Sequence, residues 1–248
     1  MTRIRLIQSV AVHVTDQYRR LVAYRAQDDD PEDPAKVQAM QVVLRIEKSR
    51  PPTRHDLLCA AATAVARLCL DPRVAHGGEW ASAMDEWCDA RIRKIARRAR
   101  GARWEAAQQV PGVTADLGGV EARALVPGPM GSVDPRIAKL QVGGTDVEGE
   151  LPIDGPEPAS ATTSGLILWI NPSLEMTVGK AAAQVGHASM LGVRLMTEEQ
   201  TAHWFGAGCR LDVRSASPQR WCLLEAAAAA GQAVAVEDAG VTEVAPGS

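Results

Sequence analysis

Residues 177–190 read TVGKAAAQVGHASM. Ala, Gly and Val fill most positions, so the stretch predicts a closely packed helix over about 178–196. Lys180, Gln184 and His187 interrupt it at steps of four and three. At about 100° per residue they fall within roughly 60° of one another around the axis. The remaining small side chains let neighbouring backbones approach. Gly179 and Lys180 open the helix, where backbone N–H groups favour anions. A cation, an amide and an imidazole therefore share one stripe beside a positive helix end. Taken singly, each has a plainer reading: a solvated lysine, a surface glutamine, a hydrogen-bonded core histidine. Three in register on so apolar a helix predict a chemical site.

The chain of 248 residues has room for one large domain or two smaller ones. Its apolar content is 46% and its charged content 23%, the balance of a globular protein. Aromatics make up only 4%, so the core is built from Ala, Val and Leu. The net charge of −3 means that any nucleic-acid binding must come from a local patch. The five cysteines show neither CxxC nor Cys/His ligand spacing. That pattern argues against a structural zinc site and fits a reducing compartment. No run of 18 apolar residues occurs and no leader pattern is evident. The reading is cytoplasmic, without membrane association.

The elements before the quoted helix set the architecture. Residues 1–38 read as an arm ending in an acidic, Pro-containing linker at 26–36. MQVVLRIE (40–47) predicts a strand. TRHDLLCAAATAVARLCL (53–70) predicts a helix capped by Thr53, with Asp56 three residues on. EWASAMDEW (79–87) is helical, and VTADLG and VEARALVPGP are strand-like. Residues 129–164, rich in Gly, Pro and Ser, form a connection in which RIAKLQV could add a short element. The pattern then restarts: GLILWI (165–170) as a buried strand, the Ala-rich helix, TEEQTAHWF (197–205) as a short helix, CRLDVRS (209–215) as a strand. SPQRWCLLEAAAAAG (217–231) is a helix with Ser217 as cap, Pro218 at its first position and Gly231 as stop. QAVAVED is a last strand.

The repeated order suggests an internal duplication. At a shift of 117, Trp87 falls on Trp204 and Trp104 on Trp221. Ala90/Ala207, Arg93/Arg210, Arg97/Arg214, Ala99/Ala216 and Arg103/Arg220 also match. At a shift of 124, LRI (44–46) meets LWI (168–170) and Thr53 meets Thr177. The expected fold is α/β: two similar halves, 39–128 and 165–248, each a mixed sheet of about four strands flanked by helices, together a pseudo-dimer. The positions aligned with Lys180, Gln184 and His187 are Asp56, Ala60 and Thr63. One half would hold the chemistry and the other would support it.

MTVGKAAAQVGHASM and the terminal DAGVTEVAPGS resemble two signatures of the archaeal/eukaryotic-type peptidyl-tRNA hydrolases, a helix G-K-x-A-A-Q-x-G-H-A and a closing D-A-G-x-T-x-x-A-P-G-S/T. The resemblance covers about residues 165–248, with Trp204 before a strand as the family has it. It implies a mixed four-stranded sheet, hydrolysis of the ester between peptide and tRNA, and no metal or cofactor. It places functional residues at Lys180, Gln184, His187, Asp238 and Thr242. Two features depart from the family: Ser173-Leu174 stands where an Asp-Leu pair is usual, and the family's strand after A-P-G-S is not present by Ser248. The second leaves a sheet edge either exposed or covered by the other half.

No Ser or Cys sits in a nucleophile elbow, so a water-mediated route is expected. Lys180 and Asp238 would pair at the site. Asp238 would orient or deprotonate water, directly or through Thr242. Lys180 and the helix amides would stabilise the developing oxyanion. Gln184 and His187 would position these groups or the terminal adenosine. RIRKIARRARGAR (91–103), with Arg91, Arg93, Lys94, Arg97, Arg98, Arg100 and Arg103, reads as a phosphate-binding strip or a solvated face, and Arg210 and Arg214 repeat it weakly. Trp87, Trp104, Trp204 and Trp221 read as core anchors. His13, His55, His76 and His203 have no partner pattern. The substrate would be peptidyl-tRNA, acted on by a monomer with an internal pseudo-dimer or by a homodimer. Other readings are a non-catalytic RNA-binding or ribosome-associated module, or a hydrolase of a different small ester or amide.

Overall fold

The structure, a computed structural model, describes residues 14–25, 31–155 and 165–236. It is α/β, with a mixed sheet flanked by helices. Strand β1 (Gln38–Arg45) pairs in parallel with β2 (Arg93–Ala99) and antiparallel with β4 (Val120–Leu125), which pairs antiparallel with β3 (Gly112–Leu117). The order is β2-β1-β4-β3, and the two-residue β5 (Gly128–Pro129) also pairs with β1. A second, two-stranded sheet pairs β6 (Leu166–Ile170) in parallel with β7 (Leu211–Ser215).

Eight helices appear among the described residues: α1 (Thr15–Ala23), α2 (Arg54–Cys69), α3 (Ala81–Cys88), α4 (Ala102–Gln108), α5 (Pro135–Ala138), α6 (Val178–Leu191), α7 (Glu198–Gly206) and α8 (Pro218–Ala229). Their starts follow from side-chain caps. The hydroxyls of Thr53, Thr177, Thr197 and Ser217 each accept from the amide three residues on, and Thr197 with Gln200 closes a full capping box. Each cap offsets a donor that the first turn would leave unpaired. None of these helices is long and apolar enough to cross a membrane.

Helices α2 and α6 pack against one another, and α2 also lies on β3, β4 and β7 while α6 lies on β2. Small residues make the approach possible: Ala60, Ala61, Ala62, Ala64 and Ala66 on α2 are at most 1% exposed, and Ala181 and Ala182 on α6 are fully buried. A Cβ built at Gly186 would lie 3.1 Å from both Val65 Cγ2 and Lys94 Cδ. One hydrophobic core therefore runs from Met40, Val42 and Leu57 to Ile170, Val185, Trp204 and Val213. A smaller cluster around Trp104, Leu125 and Ile137 lies apart from it.

Three details recur 117 residues apart. Trp87 Nε1 donates to Arg93 O at 3.0 Å, and Trp204 Nε1 donates to Arg210 O at 2.6 Å. Just before each accepting carbonyl stands a non-glycine residue with left-handed backbone, Ile92 (φ 43°) and Cys209 (φ 54°). The outer edge of each parallel strand pair is covered by the connecting segment, through bridges Arg98 to Gln141 and Ser215 to Ile153. The stretch expected as loose connection thus finishes both sheets.

The strand expected over QAVAVED does not form at 232–236, which are in no strand; 237 and 238 lie outside the described residues. In the first sheet that place is taken by the β3–β4 hairpin, which turns at Gly118-Gly119, both with positive φ.

A shared core implies one cooperative transition on denaturation. Ala182→Leu, which drives an isobutyl group between α6 and its neighbours, should cost about 1–3 kcal/mol. Urea melts followed by far-ultraviolet circular dichroism and by tryptophan fluorescence should coincide in the wild type; two separate transitions would contradict the single core.

Candidate functional site

Helix α6 begins in a setting that its sequence did not disclose. Thr177 Oγ1 accepts from the Lys180 amide at 3.3 Å. The Gly179 amide donates to Oγ1 of Thr145, a residue 1% exposed that arrives from the connecting segment, at 2.9 Å. Glycine is required there, since a Cβ would stand 2.9 Å from that same hydroxyl. Arg54 Nη2 donates to Met176 O at 3.1 Å. The expectation of amides open to an anion is therefore corrected: two hydroxyls already accept from the amides of Gly179 and Lys180.

Lys180, Gln184 and His187 lie on α6 as the helical period requires, and all three are partly exposed. His187 Nε2 lies 2.5 Å from the carbonyl of Ile92, the residue with left-handed backbone at the head of β2. The contact fixes the tautomer: Nε2 carries the proton and donates, leaving Nδ1 as acceptor. Burial, then the neighbouring Lys94 ammonium, hold the imidazole pKa down to about 3, with Lys180 adding a smaller push in the same direction. His187 is neutral at physiological pH, so it orients rather than exchanges protons.

Lys94 on β2 is 9% exposed. Its Nζ sits 4.7 Å from the Trp87 ring centroid, 3.4 Å from Ile92 O and 3.3 Å from Met190 Sδ on α6. Burial lowers its pKa to about 7, opposed by the thiols of Cys69 and Cys88. The Ile92 carbonyl thus receives both His187 and Lys94, which ties α6 to the edge of β2.

The arginine-rich stretch is a strand followed by a short helix, and its cations divide between two faces. Arg97 is 8% exposed, with Nε on Gln41 Oε1 at 2.7 Å and Nη1 on Leu140 O at 3.0 Å. Lys94 and Arg97 therefore point into the protein, and charge reversal at Arg97 would report on folding. Arg98 Nη1 donates to Gly144 O. Arg91, Arg93, Arg98, Arg100 and Arg214 are partly exposed, while Arg103 and Arg210 are exposed. Arg98, Arg100 and Lys48 share a hollow of about 570 Å³ with Glu47, Asp146 and Glu148. Arg67 and Arg210 line another of about 460 Å³. Asp238 and Thr242 lie outside the described residues.

The sequence pattern missed one cluster altogether. His55, given no role, meets Cys59 and Asp212.

Lys94 and His187 set a pH dependence with one sign. Unfolded, Lys94 holds its proton up to about 10.5, and folded only to about 7. The unfolded chain binds more protons between those values, so stability rises with pH from about 7 to 10.5. His187 acts likewise between about 3 and 6.5. Lys94→Met should flatten the alkaline rise in melting temperature and His187→Gln the acid one, as read from thermal melts across pH.

Among known families, the model of peptidyl-tRNA hydrolase PTH2 matches residues 165–248, the stretch that carries α6 and its polar stripe. Comparison with curated proteins and with solved structures gives no match.

Proposed function

We propose that the protein hydrolyses the ester between a peptide, or an N-blocked amino acid, and tRNA. The observation that carries this reading is the family match over 165–248, the segment holding Lys180, Gln184 and His187 on one helix face. In this reading Lys180 supplies positive charge for the oxyanion, and Asp238, aided by Thr242, orients or deprotonates the water. Gln184 accompanies Lys180 on the stripe. His187, neutral and donating to Ile92, is a positioning residue. No resident metal or cofactor enters the scheme.

Residues 39–128 would be a degenerate copy of the catalytic half, packed on it as a second subunit would be, with 1–38 as an arm and 129–164 as the link. Several observations support this. Both halves run strand, helix, helix, strand, helix. The paired tryptophan bonds and the left-handed residues before them recur at one shift. The equivalent helices α2 and α6 pack on each other, as an isologous contact requires. Asp56, Ala60 and Thr63 in place of the polar stripe leave a single chemical centre.

The tRNA would contact the accessible cations Arg91, Arg93, Arg98, Arg100, Arg103, Arg210 and Arg214. A second reading, RNA binding without turnover, is favoured by one observation: the first amides of α6 and the Nε2–H of His187 already have partners within the protein.

Hydrolysis of a purified N-blocked aminoacyl-tRNA separates these readings. Lys180→Ala should keep its circular dichroism spectrum and lose at least about tenfold in turnover; near-normal turnover would remove Lys180 from the mechanism. Binding by the wild type without turnover would establish the second reading. Affinity for tRNA should fall with a linear slope against log salt, at about 0.7–0.9 per phosphate neutralised. Arg100→Glu with Arg103→Glu should lower both affinity and slope, measured by filter binding from low to high salt.

A further inference from the structure

His55 and Cys59 stand four residues apart on one face of α2, and Asp212 faces them from β7. Nε2 of His55 is 3.6 Å from Cys59 Sγ and 2.7 Å from Asp212 Oδ1, and the three donor atoms all lie within 4.8 Å of one another. The carboxylate and the imidazole are about a third exposed, whereas the cysteine is 5% exposed. One side of the cluster opens to water and the other is closed by the core.

The surroundings suit a coordinated ion better than three independent side chains. His55 Nδ1 lies 3.1 Å from Asp56 Oδ1, and Asp56 Oδ2 is held in turn by Thr53 Oγ1 at 2.8 Å. A histidine that donates Nδ1–H to a carboxylate presents the Nε2 lone pair, the arrangement that orients imidazole toward a metal. With no ion bound, Nε2 lies at hydrogen-bond distance from Asp212 Oδ1, so a proton bridges that pair, and a cation would take the proton's place between the carboxylate, the imidazole and the sulfur. Burial pushes the Cys59 thiol up to about 12, against the Val213 amide directed at its sulfur, so without an ion the site holds a thiol. Arg214 Nε holds Asp212 Oδ2 at 2.7 Å, which leaves Oδ1 as a single donor.

We propose that His55, Cys59 and Asp212 bind a zinc-class divalent cation that joins α2 to β7, with the fourth position open to water. Nitrogen, thiolate and carboxylate together are the donor set of borderline-soft ions. With a metal–sulfur bond of about 2.3 Å and a metal–nitrogen bond of about 2.0 Å, tetrahedral angles place S and N about 3.5 Å apart, close to the 3.6 Å found. Nitrogen and oxygen need about 3.4 Å, so the Asp212 carboxylate would swing out by a fraction of an ångström from a partly exposed position. On binding, the Cys59 thiol gives up its proton and the thiolate becomes the ligand.

The site lies outside the polar stripe of α6 and does not depend on the hydrolase reading. His55 and Asp212 are 157 residues apart, so spacing along the chain gave no sign of the set. Being split between residues 39–128 and 165–248, it would clip the two halves.

The test uses the full chain in a Cys222→Ser background, which removes the exposed thiol. After treatment with a chelator the protein is titrated with Co²⁺, followed by absorbance, and with Zn²⁺, followed by calorimetry and thermal melting. One equivalent should bind, with a thiolate-to-cobalt charge-transfer band and a rise in melting temperature. Cys59→Ser should abolish the band, and Asp212→Asn should weaken binding at least about tenfold while both variants keep the wild-type circular dichroism spectrum. No saturable binding by the wild type, or binding and band unchanged in both variants, would overturn the site. So would histidine NMR showing that His55 titrates as an imidazolium between Asp56 and Asp212 regardless of added Zn²⁺.

Discussion

The close approach of α2 and α6 is the constraint on which the rest of the fold depends. Two helices come this near only when their facing residues are Ala and Gly, and each substitution of a larger side chain would have to be absorbed by both sheets at once. The contact removes the facing sides of α2 and α6 from water together. It also decides where the polar stripe can lie. With Ala181, Ala182 and Val185 committed to the core, the helical period turns Lys180, Gln184 and His187 to one flank, and His187 meets the start of β2 there. The chemistry of that flank then follows from burial. Desolvation lowers the pKa of both Lys94 and His187, and the Lys94 charge lowers the imidazole further.

The carbonyl of Ile92 is the meeting point of that flank. A β-branched residue with positive φ costs on the order of 1–3 kcal/mol. Ile92 keeps that conformation because the atoms on either side are engaged: its own carbonyl by His187 and Lys94, and the next by the Trp87 indole. Cys209, with the same backbone and the Trp204 indole beside it, has no counterpart of Lys94, because Leu211 takes that place.

Much of this was legible in the residues because it is encoded locally. Thr53 and Ser217 announced helix starts through the hydroxyls that cap them. Trp87 and Trp204, matched in the sequence, each donate an indole N–H to a carbonyl six residues ahead. What was not legible came from contacts between distant segments. Thr145 takes an amide at the start of α6, thirty-four residues away. His55 had no partner pattern because Asp212 belongs to the other half. The strand expected after α8 had the right composition but does not form at 232–236; pairing, which composition does not report, decides whether a strand exists.

The arginine-rich stretch shows how one composition divides between two purposes. In a helix, seven cations over thirteen residues would form a broad solvated face. In a strand, successive side chains alternate between faces, and one face of β2 lies under α6 and the core. The guanidinium groups that look inward or along the edge find carbonyls of the connecting segment: Arg97 holds Leu140, Arg98 holds Gly144, and Arg214, the counterpart of Arg97, holds Asp154. The planar fork of arginine suits this work, because it presents several donors at fixed angles while keeping its charge. A segment rich in Gly and Pro has few side chains with which to anchor itself, so its own backbone oxygens must serve. The arginines of two parallel strands thus fasten the link that closes both sheet edges.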